Sequence, residues 1–339
     1  MSVIRVEDIA HVRYAAPDLA AMKAFLHDFG MATFEAGGRL YGKGSDGRPF
    51  VHVTEPGPAK FLAVGFRCDT LADLETLAVH EGVATQDLDE PGGGKVVRLT
   101  DPDGYTVEVV AGQAKGEPAL LPADQPVNTA AAKPRFRQMV RLDPAPAHIK
   151  RIGHAVLKVR DFRKSEKWYK DRFGFLTSDE VEAAKDVPLG AFMRCDRGDK
   201  PADHHTLFLA QLPGELGILH AAFEVANLDD LMLGHQHLHA RKREAAWGVG
   251  RHIMGSQVFD YWKDPFGNEL EHWTDGDLFT AADPPQKQPM SALLAVQWGS
   301  PHPMFAGKFP PPPGLVAFVT AMMLRIKRLF KSAPKESAA

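Results

Sequence analysis

Asp101-Pro102-Asp103-Gly104-Tyr105-Thr106-Val107-Glu108 and Asp264-Pro265-Phe266-Gly267-Asn268-Glu269-Leu270-Glu271 are two copies of one design. Each is an Asp-Pro-x-Gly turn running into an alternating segment, which reads as a hairpin turn entering a strand. Upstream, the likeness widens. Ile9-Ala10-His11-Val12 and Ile152-Gly153-His154-Ala155-Val156 are short apolar runs suited to opening strands. Each is followed by a helix-like segment, Asp18 to Phe29 and Asp161 to Phe173, with an aspartate to cap its start and a glycine, Gly30 or Gly174, to stop it. A unit of more than a hundred residues per copy is too long for a solenoid repeat and describes two similar globular halves.

Length and composition agree. At 339 residues the chain suits two domains, and with 44% hydrophobic and 24% charged residues it can bury a sizeable core. A formal charge of -3 argues against a nucleic-acid binder. The two cysteines, Cys68 and Cys195, fall in separate halves and define neither a disulfide framework nor a thiolate metal site. No long apolar stretch opens the chain, so a cytoplasmic location is expected.

Residues 1–113 form the expected first domain and 148–280 the second, joined by an Ala-, Pro- and Lys-rich linker over 114–147. Residues 281–339 read as a Pro-rich tail. It passes through Pro310-Pro311-Pro312-Pro313 into a helix over 315–331 whose apolar positions fall near one face and whose basic residues come late. That helix is too short and too charged to span a bilayer, and membrane contact through it is not expected.

A lone histidine in a strand-like run is usually an ordinary hydrogen-bonding side chain. His154 gains meaning from His220, in Leu219-His220-Ala221-Ala222-Phe223, and from the glutamates of the closing strand. Alternation puts Glu269 and Glu271 on one face and does not choose between them. Two imidazoles and one carboxylate on adjoining strands form a facial triad, which leaves open positions on a metal and suits non-haem iron(II). In the first half His11 and Glu108 match His154 and Glu271, but aligning Phe66 with Phe223 sets Ala63 opposite His220. With the middle ligand missing, the first half is expected to hold no metal, leaving His11 and Glu108 as relics or a hydrogen-bonded pair.

These strings, with Asp203-His204-His205-Thr206-Leu207, Gly250-Arg251-His252, Phe259-Asp260-Tyr261-Trp262 and Gly267-Asn268-Glu269-Leu270-Glu271-His272-Trp273, resemble the vicinal oxygen chelate superfamily over roughly residues 5–280. The second half resembles the catalytic domain of type I extradiol dioxygenases. The resemblance implies an α+β fold of tandem vicinal oxygen chelate domains, each of two βαβββ modules, here with a C-terminal helical extension. It implies His154, His220 and Glu271 as metal ligands, with Fe(2+) as the ion and Mn(2+) as the other candidate. It assigns His205 as the acid/base histidine, chosen over His204 because it directly precedes Thr206. His252 and Tyr261, nine residues apart as in the family, would hydrogen-bond substrate oxygens. The implied reaction is extradiol cleavage of a catechol-type ring by O2, in a homo-oligomer. Two alternatives stand beside it: a glyoxalase-like isomerase or lyase, and a ligand-sequestering protein without catalysis. His235, His237 and His239 read as polar positions of a helix after Asp229-Asp230, not as a metal site.

Overall fold

The computed structural model describes residues 2–293 and 295–303. The helix expected over 315–331 lies outside the described residues.

The first half runs β1 (Val6–Ala16), α1 (Leu19–Asp28), β2 (Ala32–Ala36), β3 (Arg39–Lys43) and β4 (His52–Pro56). It repeats the order with β5 (Lys60–Cys68), α2 (Leu71–Glu81), β6 (Gln86–Asp87), β7 (Lys95–Thr100) and β8 (Thr106–Ala111). The result is two βαβββ modules in one sheet, ordered β2-β3-β4-β1-β5-β8-β7-β6. No helix or strand intervenes until β9 (Ile149–Lys158). From there come α3 (Phe162–Phe173), β10 (Leu176–Ala184), β11 (Val187–Arg194), the short β12 (Ala202–Asp203) and β13 (Leu207–Ala210). The last module is β14 (Ile218–Val225), α4 (Leu228–Ala240), β15 (Glu244–His252), β16 (Val258–Lys263) and β17 (Glu269–Thr274), followed by β18 (Leu278–Phe279), which pairs with β12.

The local chemistry explains the boundaries. Asp18, Asp161 and Asn227 cap α1, α3 and α4 by accepting from backbone N–H groups of the first turn. Thr70 and Asp73 form a reciprocal capping box on α2. Gly174 ends α3 in the left-handed region at φ 72°, where a side chain would be strained. Asp101 and Asp264 each accept from two backbone N–H groups of the turn that follows, which fixes the entry to β8 and β17.

The halves interlock around one apolar core that draws on both. Phe29, just after α1, meets Phe223 of β14 edge-on and stacks on His272 of β17 at 3.8 Å between ring centroids. Reciprocally, Phe66 of β5 packs against Tyr169 and Phe173 of α3. His272 therefore faces the partner half, with its Nε2 2.8 Å from the carbonyl of Phe29, although Glu271 beside it faces the other way.

Residues beyond 280 do more than trail. β19 (Gln286–Pro289) adds to β10, α5 (Met290–Leu293) follows, and β20 (Val296–Gly299) adds to β15. The second sheet is thus ordered β19-β10-β11-β13-β9-β14-β17-β16-β15-β20, and one segment closes both of its edges like a strap. No helix among the described residues is long and apolar enough to cross a membrane.

Candidate metal centre

One row of the second sheet carries most of the site. Register sets His154 of β9 opposite Ala222 of β14, Ala222 opposite Glu271 of β17, and Glu271 opposite Tyr261 of β16. His220 stands two residues before Ala222 and shares its face. His154 Nε2 lies 3.1 Å from Glu271 Oε2, and His220 Nε2 lies 3.3 Å from the same oxygen. The three donor atoms lie within 4.8 Å of one another, and among the described residues this is the one set of three or more acidic, histidine or cysteine side chains close enough to share an ion. Of the two glutamates that alternation leaves open, Glu271 meets the imidazoles and Glu269 does not.

The surroundings suit a cation. Glu271 is fully buried, and its Oε1 has no hydrogen-bond partner; neither has the buried Nδ1 of His154. Burial alone would raise the Glu271 pKa, but the adjacent imidazoles of His154, His252 and His220 hold it well below the usual carboxylate range. Burial pushes His220 down to about 3, against the opposing pull of Glu271, so it presents a neutral imidazole with a free lone pair. Among the described residues no arginine or lysine meets this buried carboxylate, and a divalent ion held by His154, His220 and Glu271 would supply a counter-charge.

The structure also brings together the other residues singled out from sequence. The His205 ring lies 4.0 Å from that of His154, and burial followed by the neighbouring imidazoles lowers its pKa well below the ordinary value. His252 Nε2 is 3.0 Å from the Tyr261 hydroxyl and 3.7 Å from Glu271 Oε1. Tyr261 is buried, which with the nearby Glu271 raises its pKa well above 10 and keeps it a phenol. His204, the other half of the tandem, turns instead toward Asp179, with Nε2 2.6 Å from Oδ2. His235 pairs with Asp260 and His237 approaches Asp28, so the histidines of α4 serve packing between elements.

One contributor escaped the sequence reading. Trp247 of β15 stacks on Tyr261 at 5.4 Å and fastens to the strap by donating from Nε1 to the carbonyl of Ser300. Phe192 and Phe208 stack at 4.0 Å beside His205 in a cluster separate from the main core, against which Met290 and Leu293 of α5 pack. Met193, between the same strands, belongs to the main core.

The first half holds the same row with different contents. His11 lies opposite Gly65, Gly65 opposite Glu108, and Glu108 opposite Arg98, while Ala63 occupies the place of His220. A Cβ on Gly65 would come within 2.4 Å of the His11 ring, so only glycine fits there. Arg13 lies opposite Ala63 as Val156 lies opposite His220, and Arg98 takes the place of Tyr261. Both arginines hold Glu108: Arg13 Nη2 donates to Oε2 at 2.9 Å and Arg98 Nε to Oε1 at 2.8 Å, with His11 Nε2 2.6 Å from Oε2. Arg13 also donates to Glu90 and Glu55. Guanidinium groups therefore supply positive charge to Glu108, whereas no arginine or lysine among the described residues meets Glu271. A cavity of about 700 Å³ opens over this position, lined by Arg13, Arg39, Glu55, Glu90 and Arg98, so size alone does not mark the site.

Comparison with known proteins follows this geometry. Residues 151–272 match the model of the Glyoxalase/Bleomycin resistance protein/Dioxygenase superfamily. Metapyrocatechase 2 of Cupriavidus necator is 28% identical over 316 residues, covering 88% of this chain and 91% of its own. An iron-dependent extradiol dioxygenase of Rhodococcus jostii (strain RHA1) is 25% identical over 299 residues, covering 80% of this chain and 90% of its own. Among solved structures, the Mn(II)-bound glyoxalase from Novosphingobium aromaticivorans superposes with a TM-score of 0.72 at 25% identity, covering 92% of this chain and 97% of that one. Residues 151–272, which carry the His154, His220 and Glu271 cluster, match the Glyoxalase/Bleomycin resistance protein/Dioxygenase superfamily, and these two curated relatives that match across both halves are extradiol dioxygenases.

Proposed function

We propose that this protein is an iron(II)-dependent extradiol dioxygenase that opens a catechol-type ring with O2, incorporating both oxygen atoms into a hydroxymuconate-type product. The observation that carries the reading is the buried Glu271 carboxylate set among imidazoles with no arginine or lysine bonded to it among the described residues, while its twin Glu108 is held by two arginines. His154, His220 and Glu271 would hold the ion, and the relative named iron-dependent supports Fe(2+) over Mn(2+). When bound, iron(II) supplies adjacent open positions for the two reactants and the electron chemistry that lets dioxygen attack a closed-shell ring.

The remaining work falls to the chain. A catechol must give up protons as it binds, and His205, buried beside His154, would take one. The Tyr261 phenol can donate to a catecholate oxygen, oriented by the His252 imidazole and by the Trp247 ring stacked on it. The stacked Phe192 and Phe208 offer an apolar wall suited to a ring with an apolar substituent. The family resemblance adds the expectation of a cytoplasmic homo-oligomer.

Tyr261→Phe removes the donor and keeps the ring. Ring cleavage is expected to fall by about 10- to 100-fold, of the order of one lost transition-state hydrogen bond, with bound metal unchanged. Oxygen uptake together with metal analysis checks this; unchanged turnover would remove Tyr261 from the reaction. Trimming the chain from Pro310 onward is expected to leave the metal content intact, because the described strap ends at Gly299. Loss of metal in that truncation would assign the tail a part in the site.

The decisive experiment is anaerobic purification, metal analysis, and mixing of the iron(II) form with 2,3-dihydroxybiphenyl or 3-methylcatechol and oxygen. Yellow ring-opened product with matched oxygen uptake is the expected result. The backbone likeness to a Mn(II) glyoxalase favours one other reading, a metal-dependent isomerase of the same superfamily. That reading predicts turnover of a hemithioacetal without oxygen uptake.

A further inference from the structure

We infer that Asp179 and His204 are positioning residues that fix the tautomer of His205, leaving its Nε2 as the bare, proton-accepting nitrogen. The inference rests on the role given to His205 above. Its physical content is a chain of side chains behind that ring. Gln288 Nε2 donates to Asp179 Oδ1 at 3.1 Å, and Asp179 Oδ2 lies 2.6 Å from His204 Nε2. His204 Nδ1 then lies 3.1 Å from His205 Nδ1.

Neutral imidazole carries one N–H and one bare nitrogen, so a single assignment anywhere along such a chain determines the rest. An ionised carboxylate only accepts, and Asp179 therefore requires the proton of His204 on Nε2. For a neutral His204, Nδ1 is then bare and accepts from His205. That places the His205 proton on Nδ1 and the lone pair on Nε2, the form a general base needs. The same logic lets a buried carboxylate orient a catalytic imidazole elsewhere, here extended by one more ring.

The surroundings lock the chain in place. His204, His205 and Asp179 are all buried. The carbonyl of His204 accepts from Ser178 Oγ at 2.6 Å, and Arg194 Nη1 donates to that same hydroxyl at 2.9 Å. Gly255, at φ 76°, brings its backbone against the ring so closely that a Cβ there would lie 2.8 Å from His204 Nδ1. The ring has little freedom to turn. The strap takes part as well, since Gln288 belongs to β19 and Asp179 to β10, its partner strand. The tandem His204-His205 thus divides its labour: one ring faces the site and the other sets the protonation pattern of the first.

The test compares wild type, His204→Phe and His204→Asn, each as the full chain loaded with zinc and labelled with nitrogen-15 in its histidines. Phenylalanine fills the space better but accepts no hydrogen bond. Asparagine is smaller yet can set Oδ1 where Nδ1 stood. Imidazole nitrogen spectra, with His205 assigned by its loss in His205→Asn, should show the Nδ1–H form in wild type. They should show the Nε2–H form in His204→Phe and a return to Nδ1–H in His204→Asn. With iron, kcat should drop by about 100-fold in His204→Phe and recover most of that in His204→Asn, with KM little changed. A purely structural role predicts the reverse order, because the cavity-forming asparagine would then be the worse variant. An Nε2–H His205 in wild type, or the same tautomer in wild type and His204→Phe, would overturn the inference. Absence of ring cleavage in every variant would count against the proposed reaction, while the nitrogen spectra would still decide the tautomer.

Discussion

Replacing His220 by alanine is expected to strip the metal and abolish ring cleavage while leaving the protein folded. The side chain is one of three donors within 4.8 Å, and without it only His154 and Glu271 remain. Even outer partners of metal ligands cost 10- to 100-fold in affinity when lost, and a ligand itself should cost more than about 100-fold. Turnover should fall by about a thousandfold or more, equivalent to about 4 kcal/mol of barrier. The fold should survive because His220 is a partly exposed neutral imidazole at the site, outside the core shared by the two halves. Metal analysis, oxygen uptake and a urea melt on one preparation separate the three effects. Full metal content in His220→Ala would sink the assignment of the ligands. Retained catechol binding with no metal in either protein would favour a sequestering protein instead.

The second large effect lies in the first half. Arg13→Met should destabilise the protein by about 3–5 kcal/mol, the range for removing one partner of a buried ion pair. Arg13 is buried and donates to Glu55, Glu90 and Glu108; burial would lower its pKa, but Glu90 and Glu108 outweigh that and hold it above the ordinary value. Without the guanidinium, Glu90 and Glu108 would face each other with too little positive charge between them. The effect has a pH signature. Burial would raise the Glu108 pKa, yet His11 and Arg13 hold it well below its ordinary value of 4.5. A group depressed in the folded state contributes stability that is fully present above its unfolded pKa. That contribution drains away as the pH falls below about 4.5 toward the folded value. Wild type should therefore lose stability steeply on acidification, and the gap to Arg13→Met should narrow. A difference under about 1 kcal/mol at neutral pH would show that the arginine is not standing in for a metal.

The sequence made the repeat legible because the same turn precedes the same alternating strand at Asp101 and Asp264, and that pairing carries the two-half architecture. His154, His220 and Glu271 could be nominated because each sits on a strand that alternation describes. Choosing Glu271 over Glu269 needed the family resemblance or the side-chain contacts themselves. Arg13 was readable in principle, being two residues after His11 on the same face, but nothing in the sequence says that its charge is spent inward. The Asp179–His204 link was not readable, because it joins β10 to a loop 25 residues later through side chains alone. The strap was missed for a different reason. Gln286 to Gly299 has weak strand propensity, and its pairing depends on edges that exist only once the second sheet has formed.

That strap also bears on how the chain is made. Synthesis proceeds from the N-terminus, so β10 and β15 leave the ribosome well before the segments that cover them. Until Gly299 has emerged, the nascent second half presents two unpaired rows of backbone N–H and C=O groups, a template for pairing with other chains. In the first half, whose strands are complete by Ala111, Glu108 already carries its own balancing charges. Premature termination between 280 and 299 should thus yield a species with every proposed ligand in place and a strong tendency to aggregate.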